Sequence, residues 1–353
     1  MSWLALRTEP PRPDGARLVP GPAAPQDWPV ARGTVLVDWR FEPGFAHLPL
    51  LDYAARAPWD AGVTLRFARD RLRLDIRQGP GLATATLPVD AARAVHGYLV
   101  AFAWDGPARS GRLALLDPDG RIAAETPLAA PPPLTMRDVT RICADRTLCR
   151  VAPGVAMVAI ADHELPAGPW PGLTPDAPVM TEAGPTRLDR LRVGDLVRCT
   201  DGDLAQVRWL AGLELPAAGM LAPVRMLSPY MGLSRDISAL GAQRFELTGS
   251  DVEYLFDTDR VRCTASQLLR SPMARPDPAP VLMRYVSPVL DRPALLDVAG
   301  LGCETLRPGP EALHPRTVLA RMPRTLCPRE DAAPPRTLAD YEAMDLLHRR
   351  SAA

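Results

Sequence analysis

The chain has 353 residues, 47% of them apolar and 23% charged, and 41 basic residues balance 41 acidic ones. That is the make-up of an ordinary globular protein of about two domains. The zero net charge removes the electrostatic reason to expect nucleic acid or an anionic membrane as a partner. Lys and Asn are absent, so every basic residue is Arg; N-linked glycosylation, Schiff-base chemistry and cleavage through Asn cyclisation are thereby excluded. The bias itself fits a GC-rich bacterial coding sequence.

The reactive side chains are scattered. The cysteines are Cys143, Cys149, Cys199, Cys263, Cys303 and Cys327, and the histidines His47, His96, His163, His314 and His348. No CxxC pair and no spacing suited to a metal occurs among them, and no cofactor or metal is expected. Cys143 and Cys149 are the one close pair; the spacing allows a small disulfide loop, and equally a thiol pair in a reducing compartment. The N-terminus lacks the basic region of a signal peptide, and no apolar run reaches membrane-spanning length. The default expectation is a cytoplasmic protein without a transmembrane segment, with non-classical export left open.

In chain order, residues 1–30 are rich in Pro and Gly and read as a loose arm that Trp3 and Trp28 could pin to a domain surface. Residues 31–165 read as short strands between turn signals: 34–41, 63–68, 71–76, 82–87, 98–104, 111–117 and 154–162. The stretch 71–76, RLRLDI, alternates charge and apolar residue with the period of a half-buried strand. Asp117-Pro118-Asp119-Gly120 is a turn between two strands, and 136–144 reads as a short helix. Regularly spaced short strands predict a β-sandwich, and the pattern resembles sandwiches of the concanavalin and laminin-G type. A Pro/Gly-rich junction over 165–172 marks the domain boundary.

The second domain, 168–308, is predicted to be all-β. It carries Gly184, Leu188, Leu191, Gly194, Asp195 and Val197 in the spacing G-x3-L-x2-L-x2-G-D-x-V, with weaker matches over 222–236, 239–247 and 250–269. In this pattern it resembles the Hint family, the hedgehog/intein self-processing module. The tail 309–353 ends in a predicted helix over 337–350 with Thr337 and Asp340 forming a capping-box-like start. Leu338, Tyr341, Met344 and Leu347 are expected on one face. A helix docked on the body is the favoured reading, a partner-binding helix the alternative.

The resemblance implies an acyl shift: a leading Cys or Ser attacks the preceding carbonyl, and a nearby His assists. The positions that match the family's C-F-T-P-G-T start are Gly172, Leu173, Thr174, Pro175, Asp176 and Ala177, so the nucleophile position is Gly172. The S-P-x-H-R block is matched by Leu240, Gly241, Ala242, Gln243 and Arg244, so Gln243 takes the place of the His. A late His-Glu pair is matched by Arg292 and Pro293, and no His occurs between His163 and His314. Gln hydrogen-bonds but does not exchange a proton near neutral pH. No catalytic residue is therefore assigned; Gly172, Thr174 and Gln243 are degenerate counterparts of the family site. Cys199, on a predicted strand, reads as core; Asp195, Asp201 and Asp203 read as a solvated turn; Asp251, Glu253, Asp257 and Asp259 read as the polar face of a strand.

These observations predict a self-processing fold that has lost its chemistry and serves as a structural or interaction module. One alternative is a sandwich that binds glycan, protein or another surface, with Trp59 and Tyr53 as exposed aromatic candidates and the second domain as connector. Another is residual self-cleavage near residues 171–174 through an ester at Thr174.

Overall fold

The computed structural model describes residues 2–11, 25–40, 49–90, 97–278, 280–308, 314–326 and 335–352. Phe41, His47, His96 and Cys327 lie outside the described residues, as does the middle of the expected N-terminal arm. The chain divides into two compact units, Met1–Ala167 with Ala218–Met220, and Gly168–Ala217 with Leu221–Ala353.

The first unit is a two-sheet sandwich. Its strands are β1 (Trp3–Thr8), β2 (Arg32–Trp39), β3 (Pro49–Ala55), β4 (Ala61–Ala68), β5 (Arg71–Gln78), β6 (Gly81–Pro88), β7 (Tyr98–Asp105), β8 (Ser110–Leu116), β9 (Ile122–Ala129), β10 (Cys149–Val151) and β11 (Val155–Ala161). One sheet runs β1-β11-β2-β7-β8-β9 and the other β10-β3-β4-β5-β6. The period-2 reading of β5 is realised: Leu72, Leu74 and Ile76 enter the core while Arg71 and Arg73 face solvent. Apolar side chains from both sheets, among them Trp39, Tyr53, Phe67, Phe102 and Trp104, form one cluster.

Among the described residues a single α-helix, α1 (Met136–Ala144), closes this core with a complete capping box of Thr135 and Asp138. The Asp138 carboxylate is buried yet well supplied with donors. Oδ1 accepts from the Tyr53 hydroxyl at 2.7 Å, and Oδ2 accepts from Thr135 N at 2.9 Å, Thr135 Oγ1 at 2.7 Å and Gln78 Nε2 at 2.7 Å. One carboxylate thus joins the helix N-terminus to the sheet.

Two expectations are corrected here. Residues 3–8 are not a loose arm: β1 pairs antiparallel with β11, and Trp3, Leu4, Ala5 and Leu6 are buried. The short run WLAL is apolar enough to fill an edge position, and the prolines that suggested an arm begin only after it. Trp28, in contrast, is 63% exposed and pins nothing by burial. Tyr53 is fully buried, because its position on β3 faces the core, and is no binding aromatic; Trp59 is exposed and donates to Gln78 Oε1.

The second unit contains β12 (Pro178–Thr181), β13 (Gly184–Arg187), β14 (Leu196–Arg198), β15 (Leu204–Pro216), β16 (Pro223–Met226), β17 (Ile237–Leu240), β18 (Arg244–Thr248), β19 (Arg260–Thr264), β20 (Ala274–Pro276), β21 (Leu282–Leu290), β22 (Leu295–Val298) and β23 (Leu301–Glu304). A long sheet runs β19-β18-β23-β22-β12-β14-β15-β21, with β13 paired to β12, and a smaller one runs β17-β16-β20. The turn at Gly194 has φ +102°, a left-handed geometry that suits glycine, and Asp195 Oδ2 closes it by accepting from Arg192 N at 2.8 Å.

Three helices complete the unit: α2 (Ser250–Phe256), α3 (Ala265–Leu268) and α4 (Asp340–Ala352). The strand expected around Asp251, Glu253 and Asp257 is in fact α2. Val252 is buried, and Leu255 and Phe256 pack beside it at helical spacing. Asp257 is the left-handed residue that ends the helix. Helix α4 is docked on the body, but through a different face from the one expected. Ala343, Leu346 and Leu347 enter the core, while Tyr341 is 72% and Met344 47% exposed. Its start is also displaced: Glu342 Oε2 accepts from Ala339 N at 2.9 Å, whereas Thr337 belongs to a parallel bridge with Arg262.

Candidate functional site

Residues 172–174 form an extended segment held on both sides. Leu173 exchanges backbone hydrogen bonds with Val286 of β21 and bridges Ala239 of β17. Its neighbours complete the attachment: Leu240 N donates to Gly172 O at 2.7 Å, and Thr174 N donates to Ser238 O at 3.2 Å. The chain leaves β17 at Leu240, turns through a Gln243 N to Leu240 O bond of 2.9 Å, and enters β18. That turn carries Gln243 directly over Gly172.

The two residues are in steric register. A Cβ added at Gly172 would lie 3.0 Å from both Cβ and Cδ of Gln243, and closer still to its Oε1. The backbone at Gly172 does not require glycine, because its φ is not in the left-handed range. What excludes a side chain is the Gln243 amide itself. That amide is 7% exposed, and its Nε2 donates to Arg244 O at 2.9 Å and to Glu304 O at 2.9 Å. Both N–H bonds of the group are therefore committed to backbone carbonyls.

Thr174 lies beside this pair, 3% exposed, with its hydroxyl donating to Ser238 O at 3.0 Å. Ser238 Oγ in turn donates to Asp277 Oδ2 at 2.5 Å, and Arg225 pairs with Asp277 at 2.8 Å. The structure thus places Gly172, Thr174 and Gln243 close together.

The thiols are elsewhere. Cys199 follows β14, Cys263 lies on β19 and Cys303 on β23, all in the core of the unit. Burial pushes the Cys199 thiol up to about 11 and the Cys263 thiol up to about 12, and it raises that of Cys303 well above its ordinary value. Neutral thiols of this kind are poor nucleophiles. In the first unit Cys143 and Cys149 are free and buried, and burial raises both thiols, that of Cys149 to about 12.

Arg292 forms a bidentate pair with Asp201, at 2.6 and 3.2 Å, and its guanidinium holds the Asp201 carboxyl below the usual range. Asp251 is bound in the same way by Arg350 of α4, at 2.7 and 2.9 Å. These carboxylates are spent on the architecture.

The family model described as the Hint domain matches residues 171–310. The chain carries a Hint domain. The match begins one residue before Gly172, at the segment that bridges β17 and β21. The Hint core continues past the matched region, since Leu338, Ala343, Leu346 and Leu347 are part of its apolar cluster.

No curated protein matches the chain significantly. Among solved structures it is similar to the binding domain of botulinum neurotoxin serotype D/C. The likeness is 8% identity with a TM-score of 0.24, over 59% of this chain and 66% of that one. The same binding domain in complex with SialylT gives 8% identity and a TM-score of 0.24, over 59% of this chain and 65% of that one. Domains LG4-5 of the mouse laminin alpha1 chain give 11% identity and a TM-score of 0.26, over 86% and 75% of the two chains. The chain spans just under two thirds of the length of the botulinum domains it matches.

Sequence reasoning missed one feature of the Hint domain. A polar cleft lies along β18, β19 and β23, lined by Glu246, Arg260, Arg262 and Arg307 among others. The alternation in RFELT and RVRCT was the available signal: every second residue there is polar, four of the six charged.

Proposed function

We propose that the Hint domain of this protein does not process itself and that the chain acts as a stable two-domain structural or interaction module. The observation that carries this reading is the filling of the nucleophile position. Gly172 supplies no attacking atom, and the Gln243 amide occupies the space a nucleophilic side chain would need. Both Nε2 hydrogens of Gln243 are engaged by the carbonyls of Arg244 and Glu304, so none is left to polarise a scissile peptide. Thr174 offers a hydroxyl, but that hydroxyl is bonded to Ser238 O, and no His lies between His163 and His314 to take its proton.

Intact-mass spectrometry of the purified chain, with and without dithiothreitol and hydroxylamine, tests the reading. One species of 38.2 kDa under every condition is expected, unchanged in Thr174→Ala and Gln243→Ala. Fragments that split next to Gly172 or Thr174 in the parent and vanish in either variant would refute it, and would establish the ester at Thr174 instead.

A second reading concerns the sandwich. The outer face of the β3-β4-β5 sheet holds a groove of about 480 Å³ lined by Arg56, Arg73, Asp75 and Arg77, and Trp59 stands exposed in the neighbouring turn. Polar side chains on an open sheet beside an aromatic suit a glycan or a protein surface. A glycan array on the full chain tests it, and the absence of signal at high protein concentration counts against the glycan form.

A further inference from the structure

The cleft in the Hint domain has a volume of about 620 Å³. Its floor is the outer face of β19, β18 and β23. Along these strands Val261, Cys263, Phe245, Leu247, Leu301 and Cys303 fill the core, and the alternate residues face the other way. Gly302 lines it beside Glu246, where an added Cβ would meet Thr200 at 3.0 Å, and Pro335 and Arg350 of the C-terminal segment also line it.

Most charges around the cleft are consumed in pairs. Arg260 binds Asp259, Arg350 binds Asp251, and Asp201 binds Arg292. Arg262 and Arg244 share the Glu304 carboxylate, at 2.8 and 3.6 Å. Arg307 adds a third guanidinium and presses its charge on Arg262, and Glu246 is the one further carboxylate nearby. Three guanidinium groups thus face two carboxylates, one positive charge in surplus.

The hydrogen bonds show the same imbalance. Arg262 is only 2% exposed, and its Nε–H has no acceptor among the described residues; the buried Nε–H of Arg307 has none either. No carboxylate oxygen lining the cleft is left in that condition. Spare donors and spare positive charge at one place ask for an acceptor that is negative. We propose that this cleft binds a small molecule through an oxyanion group, a phosphate, sulfate or carboxylate, held by Arg262 and Arg307. The volume exceeds that of a bare ion, so the group is carried on a larger body. This site is separate from the Gly172–Gln243 pair and does not depend on whether the domain processes itself.

The test is titration of the full chain with inorganic phosphate, sulfate and acetate, read by thermal unfolding and calorimetry against chloride at matched ionic strength. A saturable response with one anion per chain is expected. Phosphate and sulfate acting together, or acetate alone, distinguishes the phosphoryl-like guest from the carboxylate one. Arg307→Gln should weaken binding roughly tenfold, the worth of one charged hydrogen bond. Glu246→Gln removes the opposing charge and should tighten binding about fivefold. Because the second variant moves in the favourable direction, a folding defect cannot mimic it. The exposed Arg190→Gln serves as a control that leaves affinity unchanged. Equal stabilisation by chloride, or an affinity indifferent to both Arg307→Gln and Glu246→Gln, overturns the proposal.

Discussion

The packing of Gly172 against Gln243 predicts a specific non-additivity. Gly172→Ala places a Cβ 3.0 Å from two carbons of Gln243 and closer to Oε1, so one of the two residues must yield. Overpacking a filled interior costs about 1–3 kcal/mol. If the Gln243 amide swings away instead, its bonds to the carbonyls of Arg244 and Glu304 are lost, at about 1 kcal/mol each. Both routes give a loss of about 2 kcal/mol for Gly172→Ala. Gln243→Ala removes the same two bonds and opens a small void, and should also cost about 2 kcal/mol. In the double variant the clash has no partner, so the total should fall short of the sum by about 1–2 kcal/mol. Chemical denaturation of the four proteins, at constant slope against denaturant, measures the cycle. A neutral Gly172→Ala, or costs that simply add, would show that Gln243 does not pack against position 172 in solution.

Three other perturbations follow from the geometry. Leu346→Ala in α4 should destabilise the Hint domain by about 2–5 kcal/mol, because the side chain is fully buried in its core; a cost under about 0.5 kcal/mol in a denaturation curve would mean that the tail is not part of the fold. Asp138→Ala strips the cap of α1 and leaves the buried Tyr53 hydroxyl without an acceptor, a loss of about 2–4 kcal/mol by the same assay, with Asp138→Asn recovering part of it. Asp117 in the hairpin turn has its carboxyl raised to about 6, first by burial and then by the neighbouring Asp119. A raised carboxyl stabilises the fold below the unfolded value near 3.8 and loses that contribution as pH rises to about 6. Asp117→Asn should therefore gain about 1 kcal/mol at pH 7.5, after discounting for partial exposure, and nothing at pH 3.5; equal thermal shifts at the two pH values would contradict it.

The parts of the fold that the sequence reveals are those governed by short-range pattern. The alternation of RLRLDI specifies a half-buried strand without knowledge of its partners, and the Thr135–Asp138 spacing starts a helix wherever apolar residues follow. The Gly194–Asp195 turn is equally local. What fails is the assignment of short apolar runs whose burial is decided by distant chain. WLAL at the N-terminus becomes a strand only because β11, some 150 residues later in order of magnitude, offers it an edge. DVEYLF alternates as a strand does, but its apolar residues Val252, Leu255 and Phe256 also recur at helical spacing, and tertiary packing selects the helix. In α4 a face drawn through Tyr341 and Met344 competes with one drawn through Ala343, Leu346 and Leu347. Small and branched side chains fit the close approach to the core better than the long ones.

The candidate site divides along the same line. The blocks of the sequence resemblance single out Gly172, Thr174 and Gln243 without any coordinates, and the structure finds them near one another. What the blocks do not contain is the reason glycine stands at 172. Its backbone conformation is accessible to any residue, so conformational freedom is not the cause. The cause is a through-space neighbour more than seventy residues on in order of magnitude, held there by carbonyls from two further strands. The Gln243 side chain fills the space beside Gly172. Gly172→Cys alone would therefore meet a steric barrier at Gln243. Gly172 and Gln243 thus support each other sterically, and this mutual fit is what the proposal of a module kept for its fold rests on.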